Sequence, residues 1–196
     1  MRRILLLLAM TLVSTSAFAA RLVIQNNDAA GQGFNDATPA APVGGNPGTT
    51  LGQQRLIAFQ RAADLWGAAL ESNVDIVIGA RFAPINENPA CDDSGGTLGS
   101  AGPTQMLFNF EHAPKQNVAY PVALANKFAG RDLMPGSPDI NARFNSLVDN
   151  ATCLGTRGWY YGLDGNHGDD IDLLVVLLHE FGHGLGVSGN VDLRTG

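Results

Sequence analysis

The sequence has 196 residues, in which 18 acidic side chains outnumber 12 lysines and arginines, and the formal net charge is −6 at pH 7. The sequence contains no basic stripe, so the charge pattern argues against nucleic acid or an anionic membrane surface as a partner. A chain of this length is sufficient for one domain with a sizeable hydrophobic core.

Residues 1–19 have the pattern of a secretory signal peptide. Met1-Arg2-Arg3 is a short basic segment, residues 4–13 are apolar, and Ala17-Phe18-Ala19 fits an A-x-A cleavage site. The apolar run of about ten residues is shorter than the roughly 20 residues that a membrane-spanning helix requires. Cleavage after Ala19 removes two arginines and leaves residues 20–196 with a net charge of −8. The pattern predicts a secreted or periplasmic protein with no membrane contact after signal removal.

The remaining chain is predicted to begin with a strand, a long loop and a helix. Residues 21–26 have strand composition, whereas residues 27–49 are rich in Gly, Pro, Ala and Asn and predict a surface loop. Thr50-Leu51-Gly52-Gln53 fits a capping box. The apolar residues that follow recur at helical spacing and predict a long helix that ends near residues 71–73, with Trp66 in the core.

Strands and one short helix are predicted in the middle of the chain. Residues 74–82 and 105–110 have strand patterns, and a polar turn region at 86–103 separates them. A short helix is predicted at 120–129, and the alternation of apolar and polar residues at 139–145 predicts an exposed or edge strand. The order of elements indicates an α/β fold, in which helices pack on one sheet.

Cys91 and Cys153 are the two cysteines of the sequence. In an oxidising compartment such a pair usually forms a disulfide, and neither residue has a CxxC partner or a nearby His that would indicate a metal ligand or a nucleophile. Closing a loop of about 60 residues would stabilise the fold by roughly 4 kcal/mol in the chain-entropy model. We therefore predict a Cys91–Cys153 disulfide.

Two loops contain oxygen ligands that could hold calcium. Residues 164–170 are acidic and oxygen-rich, but they lack the EF-hand spacing and its bidentate Glu, so a solvated turn is the alternative. Residues 33–36 have a weaker pattern of the same kind. His112 is expected to lie in solvent beside Glu111.

The last predicted helix spans residues 170–185. Its N-terminus has Asp169 or Asp170 as the expected cap, and Gly184 or Gly186 is the expected left-handed residue at its C-terminus. The run of apolar residues between these ends indicates that much of this helix is buried.

His179-Glu180-Phe181-Gly182-His183 within this helix has the pattern His-Glu-x-x-His. Residues four apart on a helix share one face, with Cβ atoms about 5–6 Å apart. Two imidazoles so spaced can occupy two corners of a zinc tetrahedron. The alternative is a pair of hydrogen-bonded core histidines, but burying two imidazoles and a carboxylate without partners would be costly. The motif therefore predicts a Zn2+ site with His179 and His183 as ligands.

Glu180 lies between the two histidines, where a carboxylate can act on a zinc-activated water. In that role Glu180 accepts the proton of the water as general base and later transfers it to the leaving amine. The motif thus predicts a hydrolytic enzyme, with Glu180 as its catalytic residue.

Residues 179–186, His-Glu-Phe-Gly-His-Gly-Leu-Gly, resemble the start of the metzincin signature HExxHxxG. The resemblance implies a zincin-like N-terminal subdomain: a mixed, mostly parallel sheet with an edge strand, one long helix and a zinc-binding helix. It also implies a metalloendopeptidase that acts on polypeptides. The stretch 31–53 together with the zinc helix is similar to secreted bacterial peptidases that carry a protease-associated domain.

The sequence departs from the metzincin pattern after this helix. The usual third ligand would be residue 189, which is Gly189, and no methionine follows Met134 to form a Met-turn. One interpretation is that residues 20–196 are the N-terminal part of a longer catalytic domain, whose third ligand follows an insertion as in leishmanolysin-like metzincins. Asp192 is a second candidate ligand, His167 is a poor one, and a degenerate site is the third interpretation.

Two functions follow from these observations. The leading hypothesis is a secreted zinc-dependent endopeptidase, which as this chain alone would be weak or inactive. The alternative is a non-catalytic or degenerate zinc-binding exported domain. The missing third ligand is the feature that keeps the alternative open.

Overall fold

The computed structural model describes residues 19–85 and 91–188, so most of the predicted signal peptide lies outside the described residues. The described residues form one four-stranded sheet, two small two-stranded sheets and three α-helices. The helices are α1 (Leu51–Ala69), α2 (Val122–Ala129) and α3 (Leu173–Gly184). The strands are β1 (Leu22–Asn26), β2 (Ile76–Ala83), β3 (Gly99–Pro103), β4 (Met106–Leu107), β5 (Tyr120–Pro121), β6 (Ile140–Asn145), β7 (Trp159–Tyr160) and β8 (Ile171–Asp172).

The main sheet has the strand order β1-β2-β6-β3. The pairs β1–β2 and β2–β6 are parallel, whereas β3 runs antiparallel to β6. Ile78 and Phe82 of β2 are fully buried under α1 and α3, while Arg81, on the opposite face, is exposed. The prediction of an α/β fold with a mixed, mostly parallel sheet is therefore confirmed.

The edge strand was predicted at the wrong place. Residues 139–145 were predicted to form an exposed or edge strand, but β6 lies between β2 and β3. Its alternation arises because one face, with Ile140 and Phe144, is buried under the helices while Asn141 and Arg143 on the other face are exposed. The edge strands of this sheet are β1 and β3, and β3 lies in the region predicted as polar turns. Its sequence Gly-Ser-Ala-Gly-Pro contains no β-branched residue, so strand propensity does not indicate it.

Helix α1 supports the core of the domain. Thr50 accepts a hydrogen bond from the Gln53 backbone N–H, as the capping box predicts, but the helix ends at Ala69, before the predicted end. Phe59 is fully buried at the centre of an aromatic cluster that joins α1, the sheet and α3. Its ring centroid lies 4.7–5.9 Å from those of Phe34, Phe144 and Phe181.

The predictions for the middle of the chain are partly confirmed. Residues 105–110 form only the two-residue strand β4, while the short helix predicted at 120–129 begins at Val122, after strand β5. The predicted Cys91–Cys153 disulfide is present, with Cα atoms 5.0 Å apart. Among residues 19–85 and 91–188, no helix is both long enough and apolar enough to cross a bilayer.

Candidate metal centre

Helix α3 begins later than its sequence pattern indicates. Asp172 is the N-cap, and its side chain accepts from the Val175 backbone N–H. The prediction of Asp169 or Asp170 as the cap is wrong, because the chain remains extended through β8, which pairs with β7. Asp170 instead accepts a hydrogen bond from the Gly158 backbone N–H. The pairing of β8 with β7 thus sets where the helix can start.

Two glycines shape the C-terminal end of α3. Gly184 faces the side chain of Ile140, which would clash with a Cβ at this position, so the glycine permits close approach of α3 to β6. Gly186 has a φ of +100°, a left-handed conformation that favours glycine, so of the two predicted residues it is Gly186 and not Gly184 that adopts this conformation. Together they keep the end of the helix against the sheet and turn the chain immediately after it.

His179 and His183 converge at the surface of α3. Their Nε2 atoms lie 3.0 Å apart, and their ring planes are nearly perpendicular, at 88°. His183 Nδ1 lies 2.8 Å from the Val187 carbonyl oxygen. Because a carbonyl oxygen only accepts, Nδ1 of His183 carries a proton, and Nε2 is the ring nitrogen that faces His179.

The pair is not buried as the motif suggested. His179 is exposed and His183 is half-buried, so the desolvation argument for a metal does not apply here. What remains is the geometry of the two donors. Two ligands at about 2.0–2.1 Å from one zinc ion in a tetrahedral arrangement are about 3.3 Å apart, close to the observed separation. The two imidazoles therefore fit adjacent corners of a zinc site.

Glu180 points from α3 toward the edge strand. Its Oε2 atom accepts a hydrogen bond of 3.0 Å from the Ala101 backbone N–H, and its side chain is half-buried. This bond ties the predicted general base to the middle of β3. The sequence offers no signal for this contact, since the two residues are 79 positions apart.

The hydrogen bonds at the two ends of the β3–β6 pair show which backbone groups of β3 face outward. At the two ends of the β3–β6 pair, Asn145 N–H donates to the Leu98 carbonyl and Thr104 N–H donates to the Asp139 carbonyl. Backbone groups alternate along an antiparallel strand, so residues 99, 101 and 103 direct theirs away from β6. Glu180 therefore lies beside the outward-facing edge of the sheet.

A third protein ligand is not found in the described part of the chain. Among residues 19–85 and 91–188, no three His, Cys, Asp or Glu side chains form a group that could hold a metal ion. Gly189 and Asp192, which the ligand predictions concern, lie outside the described residues. The exposed His167 contacts the Asp170 carbonyl through Nδ1, at 2.8 Å.

Two carboxylates of the acidic loop considered for calcium, Asp164 and Asp170, accept hydrogen bonds from other groups of the protein. Asp164 accepts from the Tyr160 hydroxyl and from both the backbone and side-chain nitrogens of Asn166. The hydrogen bond to Asp164 raises the pKa of Tyr160 to about 12, so the phenol remains a donor at neutral pH. These bonds fit the solvated-turn interpretation of residues 164–170. His112 is exposed, with Nε2 3.7 Å from Glu111 Oε1, as expected.

Three residues beside the site make hydrogen bonds that the sequence did not predict. Ala101 donates to Glu180, the Val187 carbonyl orients His183, and the Trp66 indole donates to the Leu178 carbonyl, at 3.1 Å. Trp66 was predicted to be a core residue, and it is half-buried against α3. The only sequence signal was its place on the apolar face of α1, which does not reveal a polar contact.

No protein-family model, curated protein or solved structure matches this chain. The functional argument therefore depends on the residues and geometry described above.

Proposed function

We propose that the protein is a secreted or periplasmic zinc-dependent endopeptidase, with a zincin-like subdomain in which His179 and His183 bind the metal and Glu180 is the general base. The observation that carries the proposal is that the Nε2 atoms of His179 and His183 lie 3.0 Å apart, on the helix that also carries Glu180. The Cys91–Cys153 disulfide supports an oxidising compartment, because such bonds persist outside the cytosol.

The two imidazoles have the donor chemistry that zinc prefers. The Val187 carbonyl holds the Nδ1 proton of His183, the kind of outer contact that fixes the tautomer of a metal-binding histidine. A bound zinc ion would act as a Lewis acid that polarises the scissile carbonyl and lowers the pKa of water. The remaining protein ligand would come from outside the described residues.

The contacts of Glu180 support the proposed role of general base. Its carboxylate is half-buried, lies on the same helix as the two histidines and is oriented by the Ala101 amide. Glu180 would take a proton from the attacking water and deliver it to the leaving amine. Among the described residues, Ala101 is the donor to Glu180 and bonds Oε2, which leaves Oε1 to contact water.

The edge strand supports a polypeptide as the substrate. Residues 99, 101 and 103 of β3 direct backbone groups away from β6. The Ala101 N–H is bonded to Glu180 and Pro103 has no N–H, so an extended peptide can add to this edge through the three carbonyls and the Gly99 N–H. A peptide in this position would lie beside Glu180, because Glu180 is bonded to the middle of the same strand. This arrangement favours an endopeptidase, since a strand added along an edge can extend past both ends of the site.

Metal analysis and a casein assay, with and without a chelator, test the proposal. We expect about one zinc per chain and proteolysis that the chelator abolishes and added zinc restores. The His183→Ala variant should lose both the metal and the activity, whereas His112→Ala, which replaces an exposed histidine near Glu111, should retain both.

The alternative is a non-catalytic or degenerate zinc-binding exported domain, which the pair of histidines without a third described ligand favours. Stoichiometric zinc without hydrolysis would support this alternative. Wild-type protein that binds no zinc would contradict both functions.

A further inference from the structure

The face of the sheet opposite α1 and α3 contains a cavity of about 590 Å³. Its lining includes Asn27, Arg81, Ser100, Gly102, Asn141 and Arg143. The described residues that line it include two arginines and no Asp or Glu, in a chain with net charge −6. The described lining of the cavity therefore contributes cationic side chains on an acidic protein.

The register of the strands brings the two arginines together. Arg81 of β2 pairs directly with Arg143 of β6, so both guanidinium groups lie on the same face of adjacent strands. Arg143 Nε donates to the Ser100 hydroxyl on β3, at 2.9 Å, which directs this side chain toward the edge strand. Arg81 is exposed and forms no ion pair with the described residues.

The cavity reaches the strand along which a peptide would lie. Ser100 and Gly102 of β3 are on its face of the sheet, paired with Arg143 and Asn141. Gly102 has open space above it, since no atom lies within 4 Å of a Cβ built at this position. In a sheet, directly opposite residues point to the same face, so peptide residues opposite Ser100 and Gly102 would direct their side chains over the cavity.

From these observations we infer that the cavity binds acidic side chains of a peptide that lies along β3. The inference rests on the proposed function and specifies its substrate class: peptides with Glu or Asp at two positions separated by one residue. Guanidinium groups pair with carboxylates by two parallel hydrogen bonds. Asn27 and Asn141 add neutral amide donors around the same space.

Two labelled peptides that differ only in Glu or Gln at these positions test the inference. Their affinities are measured by fluorescence anisotropy with the full chain carrying Glu180→Gln, so that the peptides remain intact. We expect the Glu peptide to bind about three- to tenfold more tightly, since partly exposed ion pairs contribute modestly. Adding Arg81→Gln should remove the difference, whereas Arg61→Gln, which removes an exposed arginine from α1, should preserve it.

Equal affinity for the two peptides would overturn the inference, as would an equal loss of preference in the Arg61→Gln protein. Hydrolysis separates this result from the proposed function. If the wild-type protein cleaves both peptides at the same rate, the peptidase activity is supported and the preference for acidic peptides is contradicted. If the Arg81-dependent preference is measured but neither peptide is cleaved, the binding of acidic side chains in the cavity is supported and the peptidase activity is contradicted.

Discussion

Two polar clusters of this protein, one around Arg55 and one around His179 and His183, differ in how their hydrogen-bonding groups are used. Arg55 of α1 is only 4% exposed, and Tyr161 and Asp149 surround it inside the domain. The two histidines lie at the surface of α3, and their Nε2 atoms face each other. The Arg55 cluster joins distant parts of the chain, whereas the two histidines are four residues apart on one helix.

The buried side-chain nitrogens and oxygens of the Arg55 cluster have hydrogen-bonding partners within the protein. Arg55 donates to the Tyr161 hydroxyl, the Gly33 carbonyl, Asp36 and Asp149, at 3.0–3.2 Å. Burial and the neighbouring Asp149 carboxylate raise the pKa of Tyr161 well above its ordinary value, so its hydroxyl remains protonated and donates to Asp149. In the described residues, no buried side-chain nitrogen or oxygen lacks a partner.

The comparison indicates how structural and functional polar groups can be separated in this fold. A buried charged group that is fully paired stabilises one conformation, and it has no capacity left for a ligand. Two imidazole nitrogens that converge at the surface can both act as ligands of a cation. Changes in the first cluster should therefore reduce stability, and changes in the second should reduce function.

The Glu180→Gln substitution should have the largest effect, and on function alone. Glutamine can still accept from the Ala101 N–H, but it cannot accept a proton, so hydrolysis should fall by about 10²–10⁴-fold. Zinc content and the unfolding midpoint should match the wild-type values. Peptidase assays, metal analysis and urea denaturation measure the three quantities, and full activity in this variant would refute the role of Glu180.

The Arg55→Met substitution should instead reduce stability. It keeps much of the side-chain volume but leaves Asp36, Asp149 and the Gly33 carbonyl without their cation. The free energy of unfolding should fall by about 3 kcal/mol. Urea denaturation of this variant and of Arg61→Met, at an exposed position of the same helix, makes the measurement. Equal stability of the two variants would contradict the structural role of the cluster.

A smaller effect is expected where the two regions meet, at Trp66. Its indole N–H donates to the Leu178 carbonyl, one residue before His179. Trp66→Phe retains an aromatic ring but removes this bond, and the unfolding free energy should fall by about 1 kcal/mol. Denaturant titration measures the change. An unchanged midpoint would show that packing, and not the hydrogen bond, connects the two helices.

Asp139 provides the smallest test, because it is a buried carboxylate that faces only neutral donors. It accepts from the Val77 backbone N–H and the Asn126 amide, both at 2.7 Å, and forms no ion pair with the described residues. Burial raises the pKa of Asp139 above its ordinary value. The folded chain therefore holds this proton more tightly than the unfolded chain does.

Stability should consequently fall as the pH rises from the ordinary Asp value through the raised pKa of Asp139. Asp139→Asn does not titrate, so its unfolding free energy should fall less over this interval. Urea denaturation of both proteins between about pH 4 and 6 compares the slopes, on the basis that an unperturbed Asp titrates near 3.9. Identical slopes would show that Asp139 does not contribute to the pH dependence of stability.

The strongest local patterns predicted their elements well. The apolar periodicity around Phe59 predicted α1, and the apolar run before His179 predicted α3, because burial of one helix face constrains the sequence directly. Strand β3 was missed, since it is held by pairing with β6 and not by its own composition. The cap of α3 was misassigned for a related reason: the pairing of β8 with β7 delays the helix to Asp172.

The sequence by itself determined the residue types and spacing of the candidate site, because a helix places His179 and His183 on one face whatever surrounds it. It also determined the cysteine pair and the α/β class. Only the tertiary structure decided what lies beside those side chains: the Ala101 amide against Glu180 and the Val187 carbonyl against His183. Contacts of this kind depend on which strand lies at the sheet edge, and strand pairing between distant segments has no local signal in the chain.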